Sequence, residues 1–188
     1  IQQRLFAGMV DHGISYEIGE QIWNKMSAFA NYGFPESHSV SFANLVYSSS
    51  WIKLHYPAAF CASLVNSQPM GFYSPHSLVQ DARRHGVVVR TPDVNASMDD
   101  AILELSPESH SGFGVRLGLS SVRGIGNSLA LEIAEAGPYK NMEQLARRVS
   151  LDLKQLEALA TAGAFTSLGL NRRDALWAAG AVAQSSSS

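Results

Sequence analysis

Hydrophobic residues recur every three or four positions through most of the first 85 residues. This spacing places them on one face of a helix, so it predicts a series of amphipathic helices. Ser15 can cap the first clear helix, in which Ile18, Ile22 and Met26 form the apolar stripe and Asn31 lies at the end. Three further helices are predicted over residues 37–56, 57–65 and 75–85.

The pattern changes after Gly86 to short β-branched or alternating runs, at residues 87–89, 102–105 and 114–119. Turn-forming residues separate these runs, as a small sheet requires. Helical spacing then returns and predicts helices over residues 127–136, 142–149, 153–162 and 172–182. The sequence therefore predicts a mainly α fold with a small β component (α+β), and a domain transition near Gly86.

The composition indicates a globular chain with an unusual surface. Hydrophobic residues make up 46% of the 188 positions, but charged residues only 16%, against roughly 25% in average soluble domains. The low charge, the start at Ile1 and the serine run at 185–188 lead us to expect an excised piece of a larger protein, with a flexible end.

A single cysteine, Cys61, excludes an internal disulfide framework and a cysteine-based zinc site. No run approaches the roughly 18 apolar residues that a membrane span needs. We therefore expect a cytoplasmic protein with no membrane partner. The charge is uneven: residues 1–110 carry 6 basic and 10 acidic residues, whereas residues 111–188 carry 8 and 6. The C-terminal part is thus the better candidate for contacting phosphates.

The most specific local motif has two glycines around one aliphatic residue, followed by a predicted helix: Arg123-Gly124-Ile125-Gly126-Asn127-Ser128. Glycines let a phosphate approach the main chain, the isoleucine can anchor the loop in the core, and the helix start offers free N–H groups. Such a loop can hold a DNA backbone without recognising a base. A tight helix-to-helix turn is an equally good interpretation of the glycines alone.

Arg123 favours the phosphate interpretation, because it places a cation beside the exposed amides. The pairs Arg147-Arg148 and Arg172-Arg173 could add phosphate contacts if they share its face, and residues 161–165 could be a degenerate second hairpin.

Other candidate chemistry is sparse. Neither the histidines nor the Asp99-Asp100 pair near Glu104 shows the spacing of a metal site. His38 begins a predicted helix and Lys53 lies further along it, where either could contact an anion; Tyr47 between them is expected to be core.

Several ordered blocks of the chain resemble bacterial C-family DNA polymerases, the family of the DNA polymerase III alpha subunits. The blocks lie at residues 29–39, 51–60, 72–75, 81–87, 92–95 and 114–119. Pro35-Glu36 replaces the Asn-Lys pair usual in replicative members, and residues 68–73 (Gln-Pro-Met-Gly-Phe-Tyr) are similar to the error-prone DnaE-like branch, also called ImuC.

The resemblance implies an error-prone, translesion DNA-directed DNA polymerase as the full-length parent. Residues 1–85 would be the end of its fingers, 86–119 a β-containing connector, 120–183 a helix-hairpin-helix module and 184–188 a flexible tail. Ser37, His38 and Lys53 would lie near the nucleotide or template, although Glu36 in place of a lysine weakens the positive field there. Arg123, Gly124, Ile125, Gly126, Asn127 and Ser128 would bind DNA.

The resemblance also implies that catalysis lies elsewhere in the parent. The family's palm aspartates hold two Mg²⁺ ions and would precede Ile1, so we expect no catalytic residue, metal or cofactor within this chain and no activity from it alone. Expected partners are primer-template DNA, the rest of the polymerase and other proteins of a mutagenesis complex. The alternatives are a non-catalytic helix-hairpin-helix module of a repair complex and a small enzyme using His38 or Asp99-Asp100.

Overall fold

The structure is a computed structural model that describes residues 2–31 and 36–186. Within these ranges the helices are α1 (Gln2–Asp11), α2 (Tyr16–Asn31), α3 (Glu36–His55), α4 (Pro57–Asn66), α5 (Pro75–Arg84), α6 (Asn127–Ala136), α7 (Met142–Arg148), α8 (Leu153–Ala162) and α9 (Arg172–Ser186). The strands are β1 (Val89–Arg90), β2 (Ile102–Leu105) and β3 (Phe113–Arg116), and two 3₁₀ turns span Leu119–Ser121 and Thr166–Leu168. The fold is mainly α with a small sheet, as predicted.

The chain forms two compact units, Ile1–Ser50 and Trp51–Ser188. In the first, α1 packs against α2 where Gly19 allows a close approach: a Cβ there would lie 3.3 Å from the sulfur of Met9. The Phe6 and Tyr16 rings also contact each other, with centroids 5.1 Å apart. Most described side chains of this unit are exposed, and so is Tyr47, which the pattern wrongly placed in the core. Helical spacing identifies the apolar faces, but among the residues of this unit that the structure describes, none buries that ring, which is 74% exposed.

The second unit contains two hydrophobic clusters. In the first cluster, α4 and α5 pack on a sheet in the order β1-β3-β2, in which β1 runs parallel and β2 antiparallel to β3. Small buried residues, including Ala58, Cys61 and Ala82, let the helices approach the sheet around Val115. The second cluster joins α6 to α9 around the fully buried Phe165.

Local signals place most of the observed boundaries. Helices α6 and α8 begin and end where predicted, and Ser74 caps α5 by accepting a hydrogen bond from the Ser77 N–H at 3.2 Å. Several segments differ. Helix α1 was not predicted, and β1 spans Val89–Arg90 instead of residues 87–89. Residues 117–119, predicted as strand, leave the sheet after Arg116 and lead into a 3₁₀ turn, and α9 continues to Ser186 instead of ending near residue 182. The last two residues of the predicted flexible tail, 187 and 188, lie outside the described ranges.

Helix gives way to strand after Gly86, as the sequence predicts, but the packing does not divide there. Helices α4 and α5 share one core with the strands that follow them, whereas the two compact units divide within α3, after Ser50. The division into segments 1–85, 86–119, 120–183 and 184–188 remains a prediction about domains of the parent protein. In the described part of the chain, no helix is long and apolar enough to cross a membrane.

Cys61 should be almost unreactive in the folded protein. Burial, together with the nearby carboxylate of Asp81, raises the pKa of its thiol from 9.0 to about 11. At pH 8 this shift lowers the fraction of Cys61 present as thiolate about 100-fold. Since only the thiolate is nucleophilic, the reaction rate should fall by the same factor. We expect maleimide to label Cys61 at least that much more slowly in the native chain than in urea. Equal rates would contradict its burial.

The same shift gives a pH dependence of stability. The folded pKa lies above the unfolded one, so the folded state retains the proton more strongly. The contribution of Cys61 to stability is complete below pH 9 and is lost as the pH rises through about 11.

Candidate nucleic-acid interface

The hairpin at residues 122–126 is anchored by two buried aliphatic side chains. Val122 and Ile125 point into the second cluster and are 6% and 3% exposed. The Ile125 N–H donates to the Val122 carbonyl at 3.0 Å and closes the turn. Ile125 therefore anchors the loop, as the motif suggested, and Arg123, Gly124 and Gly126 remain exposed around it.

The two glycines leave the backbone open to an approaching group. Gly124 has φ +91°, in the region that favours glycine, whereas Gly126 has φ −76°, which any residue can adopt. A Cβ atom added at either position would meet nothing within 4 Å. An anion could thus reach the main chain of the hairpin without displacing any side chain.

Helix α6, which follows the hairpin, begins without a side-chain cap. Gly126 occupies its N-cap position, so no side chain accepts a hydrogen bond from the first turn. In contrast, Ser74, Asn141, Asp152 and Asn171 cap α5, α7, α8 and α9. The first N–H groups of a helix have no intrahelical acceptor and carry the positive end of the helix dipole. Those of α6, at Asn127 and Ser128, are on exposed residues and can donate hydrogen bonds to an anion.

Arg123 supplies a positive charge next to these amides. Its side chain is exposed, and within residues 2–31 and 36–186 no hydrogen bond or ion pair to it is found. An uncommitted guanidinium beside uncapped amides favours phosphate oxygens.

The second hairpin, at residues 161–165, is built differently. Gly163 adopts φ +81° at the end of α8, but its N–H already donates to the Ala160 carbonyl at 3.0 Å. The Ala164 N–H likewise donates to the Leu159 carbonyl at 2.9 Å. Arg172 lies over the glycine, with Nε 3.2 Å from the position of an added Cβ. This hairpin therefore offers fewer free amides than the first.

A buried carboxylate holds the second hairpin to the connector before it. Asp93 is 3% exposed and accepts hydrogen bonds from the Ser167 N–H at 2.8 Å and the Asn95 N–H at 2.9 Å. The Val94 N–H donates to the Ala164 carbonyl at 2.9 Å. Sequence reasoning noted this segment only as a family block. The Asx turn at Asp93-Val94-Asn95 is the local signal, but its link to Ser167 spans 74 positions.

The hydrogen bonds of Asp93 and Val94 form a brace between the connector and the second hairpin, and Asn95 extends this brace toward α6 and α7. Its side chain donates to the Tyr139 carbonyl at 2.8 Å and accepts from the Tyr139 N–H at 2.7 Å. The Tyr139 hydroxyl donates to the Ile133 carbonyl at 2.6 Å, and burial of this ring raises the pKa of the hydroxyl. The connector is thus hydrogen-bonded both to the second hairpin region and to the segment between α6 and α7.

The later arginines differ in the contacts they make within the chain. Arg148 donates to the carbonyls of Ala136 at 2.9 Å and Pro138 at 3.0 Å, and its guanidinium lies 5.9 Å from the centre of the Tyr139 ring. It therefore stabilises the end of α6 through one nitrogen of its guanidinium, and its contact with phosphate stays a prediction. Arg147 and Arg173 are exposed.

The predicted nucleotide- or template-proximal residues lie on α3. The side chain of Ser37 is outside the described side chains. His38 is exposed and meets the Phe42 ring edge-on, with centroids 4.4 Å apart. Lys53 forms an ion pair with Asp81 at 2.8 Å. Their proximity to a nucleotide remains a prediction.

Glu104, the acidic residue on β2, has structural partners. Glu104 pairs with Arg90 at 3.2 Å and with Arg116 across the sheet. Among the described residues, no group of three histidines, cysteines or carboxylates could hold a metal ion.

These features define the class of the C-terminal part. A helix-hairpin-helix motif family matches residues 86–175, which contain both hairpins and the brace between them. Residues 86–175 are thus similar to a helix-hairpin-helix motif, and further helices precede and follow them in the chain.

The chain is also similar in sequence to curated proteins named error-prone DNA polymerases. The chain is 54% identical to an error-prone DNA polymerase of Mycolicibacterium paratuberculosis, over 97% of this chain and 17% of that protein. It is 55% identical to one of Nocardia farcinica, over 98% and 17%, and 52% identical to one of Burkholderia mallei, over 96% and 18%. This identity confirms the resemblance to the error-prone DNA polymerases. The chain spans less than a fifth of the length of these relatives.

Proposed function

We propose that this chain is the segment of an error-prone DNA polymerase that holds the backbone of the primer-template duplex. The observation that carries the proposal is the uncapped start of α6, with the exposed Arg123 beside it. Backbone amides and a guanidinium bind phosphate oxygens whatever the base sequence. This suits a polymerase, which must hold every sequence that it copies.

The rest of the proposed function concerns the parent protein. It would carry out template-directed DNA synthesis across damage, in DNA repair and in the cytoplasm, with residues 1–85 as the end of its fingers. The palm carboxylates and their Mg²⁺ ions would lie in parts of the parent outside this chain, where they would perform nucleotidyl transfer. The isolated chain would then bind DNA without extending a primer. Relatives named error-prone DNA polymerases support this proposal.

Gly126→Asp should weaken duplex binding while slightly stabilising the fold. The position has N-cap geometry and open space, so an aspartate can cap α6 without strain. Capping and the helix dipole should add about 0.5 kcal/mol of stability. The same carboxylate would occupy the anion site and repel phosphate, so the Kd for a labelled duplex should rise about tenfold or more at low salt. Fluorescence anisotropy and thermal unfolding measure the two effects.

Three variants make this result specific. Gly126→Asn caps the helix without charge and should weaken binding less. His76→Glu puts the same charge change in the first turn of α5, which packs against α4 and β1, and should have little effect. Arg123→Gln should reduce the slope of log K against log salt by about 1. We call Arg123 and the uncapped start of α6 the duplex grip. Unchanged duplex binding by both Gly126→Asp and Arg123→Gln would contradict it.

A further inference from the structure

A second surface of the unit Trp51–Ser188 has the properties of a binding site. A cleft of about 480 Å³ lies between the end of α3, α4 and α5. Apolar side chains of Pro57, Phe60, Leu64 and Leu78 line it. A cleft of this size and lining suits a mainly apolar group of small-molecule dimensions.

The rim of the cleft is charged, with a positive balance. Two cations, Lys53 and Arg84, and one carboxylate, Asp81, lie on it beside His85. Asp81 holds its neighbours in place: it pairs with Lys53 at 2.8 Å, and its backbone carbonyl lies 2.7 Å from Nδ1 of His85. The hydrogen bond from Lys53 is the main cause of a lowered pKa at Asp81. Arg84 is 73% exposed at the side-chain level and 4.0 Å from Asp81, so its charge remains accessible.

A loop with exposed aromatic rings borders this cleft. Tyr73 lines the cleft, and the adjacent Phe72 is fully exposed. The side chain of Gln68 braces the loop: it donates to the carbonyls of Leu64 at 3.4 Å and Tyr73 at 3.5 Å and accepts from the Met70 N–H at 3.3 Å. The loop thus has its own internal support and presents both rings outward.

We propose that the cleft and this loop bind an unpaired nucleotide of single-stranded DNA. A base would stack on Tyr73 or Phe72, and the adjacent phosphate would lie against Arg84 and Lys53. Aromatic platforms beside cations are the usual way in which proteins hold single strands, because every base has a face that can stack. The site is separate from the duplex grip at α6 and does not depend on it.

The charge of the rim favours this occupant over an apolar protein surface. A protein segment could cover Phe72, but covering Arg84 with an apolar surface would cost its hydration without supplying an anion. A strand of DNA offers one base and one phosphate per nucleotide, and so matches rings and cations together.

The test compares single-stranded and duplex DNA with the whole 188-residue chain. We expect Phe72→Ala with Tyr73→Ala to raise the Kd for fluorescein-labelled oligo(dT) about tenfold at low salt, and to change duplex binding less than twofold. Phe72→Tyr with Tyr73→Phe keeps both rings and should retain single-strand binding. Phe72→Leu with Tyr73→Leu keeps apolar side chains without aromatic faces and should lose most of it.

Separate control variants test for effects on folding and on the duplex grip. The exposed Phe72 has no packing to lose, so the single variant Phe72→Ala should leave the unfolding midpoint unchanged and still weaken oligo(dT) binding. Gly126→Asp should weaken duplex binding and spare oligo(dT). Oligo(dT) binding that is unaffected by loss of both rings would overturn the site and assign the exposed rings to a protein contact. Leucine variants that bind as well as the wild type would overturn stacking as its basis.

Discussion

Gly118→Ala should destabilise the unit Trp51–Ser188 more than any other single methyl group added to a glycine that the structure describes. A Cβ at position 118 would lie 2.2 Å from the Asp99 carbonyl oxygen and 2.4 Å from the carbonyl carbon of Asp100. These are main-chain atoms, so no side chain can move aside to relieve the clash. Overpacking typically lowers the free energy of unfolding by about 1–3 kcal/mol. Because backbone cannot move aside as a side chain can, we expect a loss at or above the upper end of this range.

Moving residues 99–100 away from the new methyl group would also disturb the hairpin at residues 122–126. The Leu119 N–H donates to the Met98 carbonyl and the Ser120 N–H to the Asp99 carbonyl, each at 3.0 Å. These bonds hold the start of the 3₁₀ turn that leads into the hairpin. Thermal unfolding should show a midpoint lower by about 6 °C or more, and duplex binding should weaken with it.

Gly180→Ala provides the matched control for this substitution. Position 180 lies within α9, and an added Cβ would meet nothing within 4 Å. Alanine in a helix interior is favoured over glycine by about 1 kcal/mol. The same chemical change should therefore stabilise at 180 and destabilise at 118. A cost below about 1 kcal/mol at 118 would show that the approach of residues 99–100 is not as close as the structure gives it.

Asp93→Ala should destabilise the same unit by about 3 kcal/mol. The substitution leaves the Ser167 and Asn95 N–H groups without their acceptors, and each unsatisfied donor away from water costs about 1–3 kcal/mol. Chemical denaturation followed by circular dichroism measures the loss. Hydrogen exchange at Val94 and Ser167 should accelerate as well, because Asp93 holds the connector against the second hairpin.

Asp93→Asn separates the hydrogen bonds from the buried charge. Its amide keeps one carbonyl oxygen, so it can satisfy one of the two donors and should cost less than alanine. Asp152→Ala, at the exposed cap of α8, should cost about 1 kcal/mol and leave exchange at Ser167 unchanged. Should Asp93→Ala cost no more than Asp152→Ala, the brace would be incidental to stability.

Much of the local architecture could be predicted because its causes are close together in the sequence. Helix α8 begins at the Asp152 capping box and ends at Gly163 in the left-handed region. The glycines and Ile125 marked the first hairpin for the same reason: a turn needs only its own residues. The ordered family blocks carried the resemblance further, to the error-prone polymerases.

The sequence alone determined where most helices begin and end, that a small sheet lies between helical segments, and that a glycine hairpin anchored by Ile125 precedes α6. Only the tertiary structure decided how side chains are used: it placed Arg148 against the carbonyl of Ala136 at the end of α6, and paired Lys53 with Asp81. It also joined Asp93 to Ser167, 74 positions away. The physical reason is the distance along the sequence over which each interaction acts. Caps, turns and apolar spacing act within a few residues, whereas an ion pair or a buried hydrogen bond depends on which distant segments the packed core brings together.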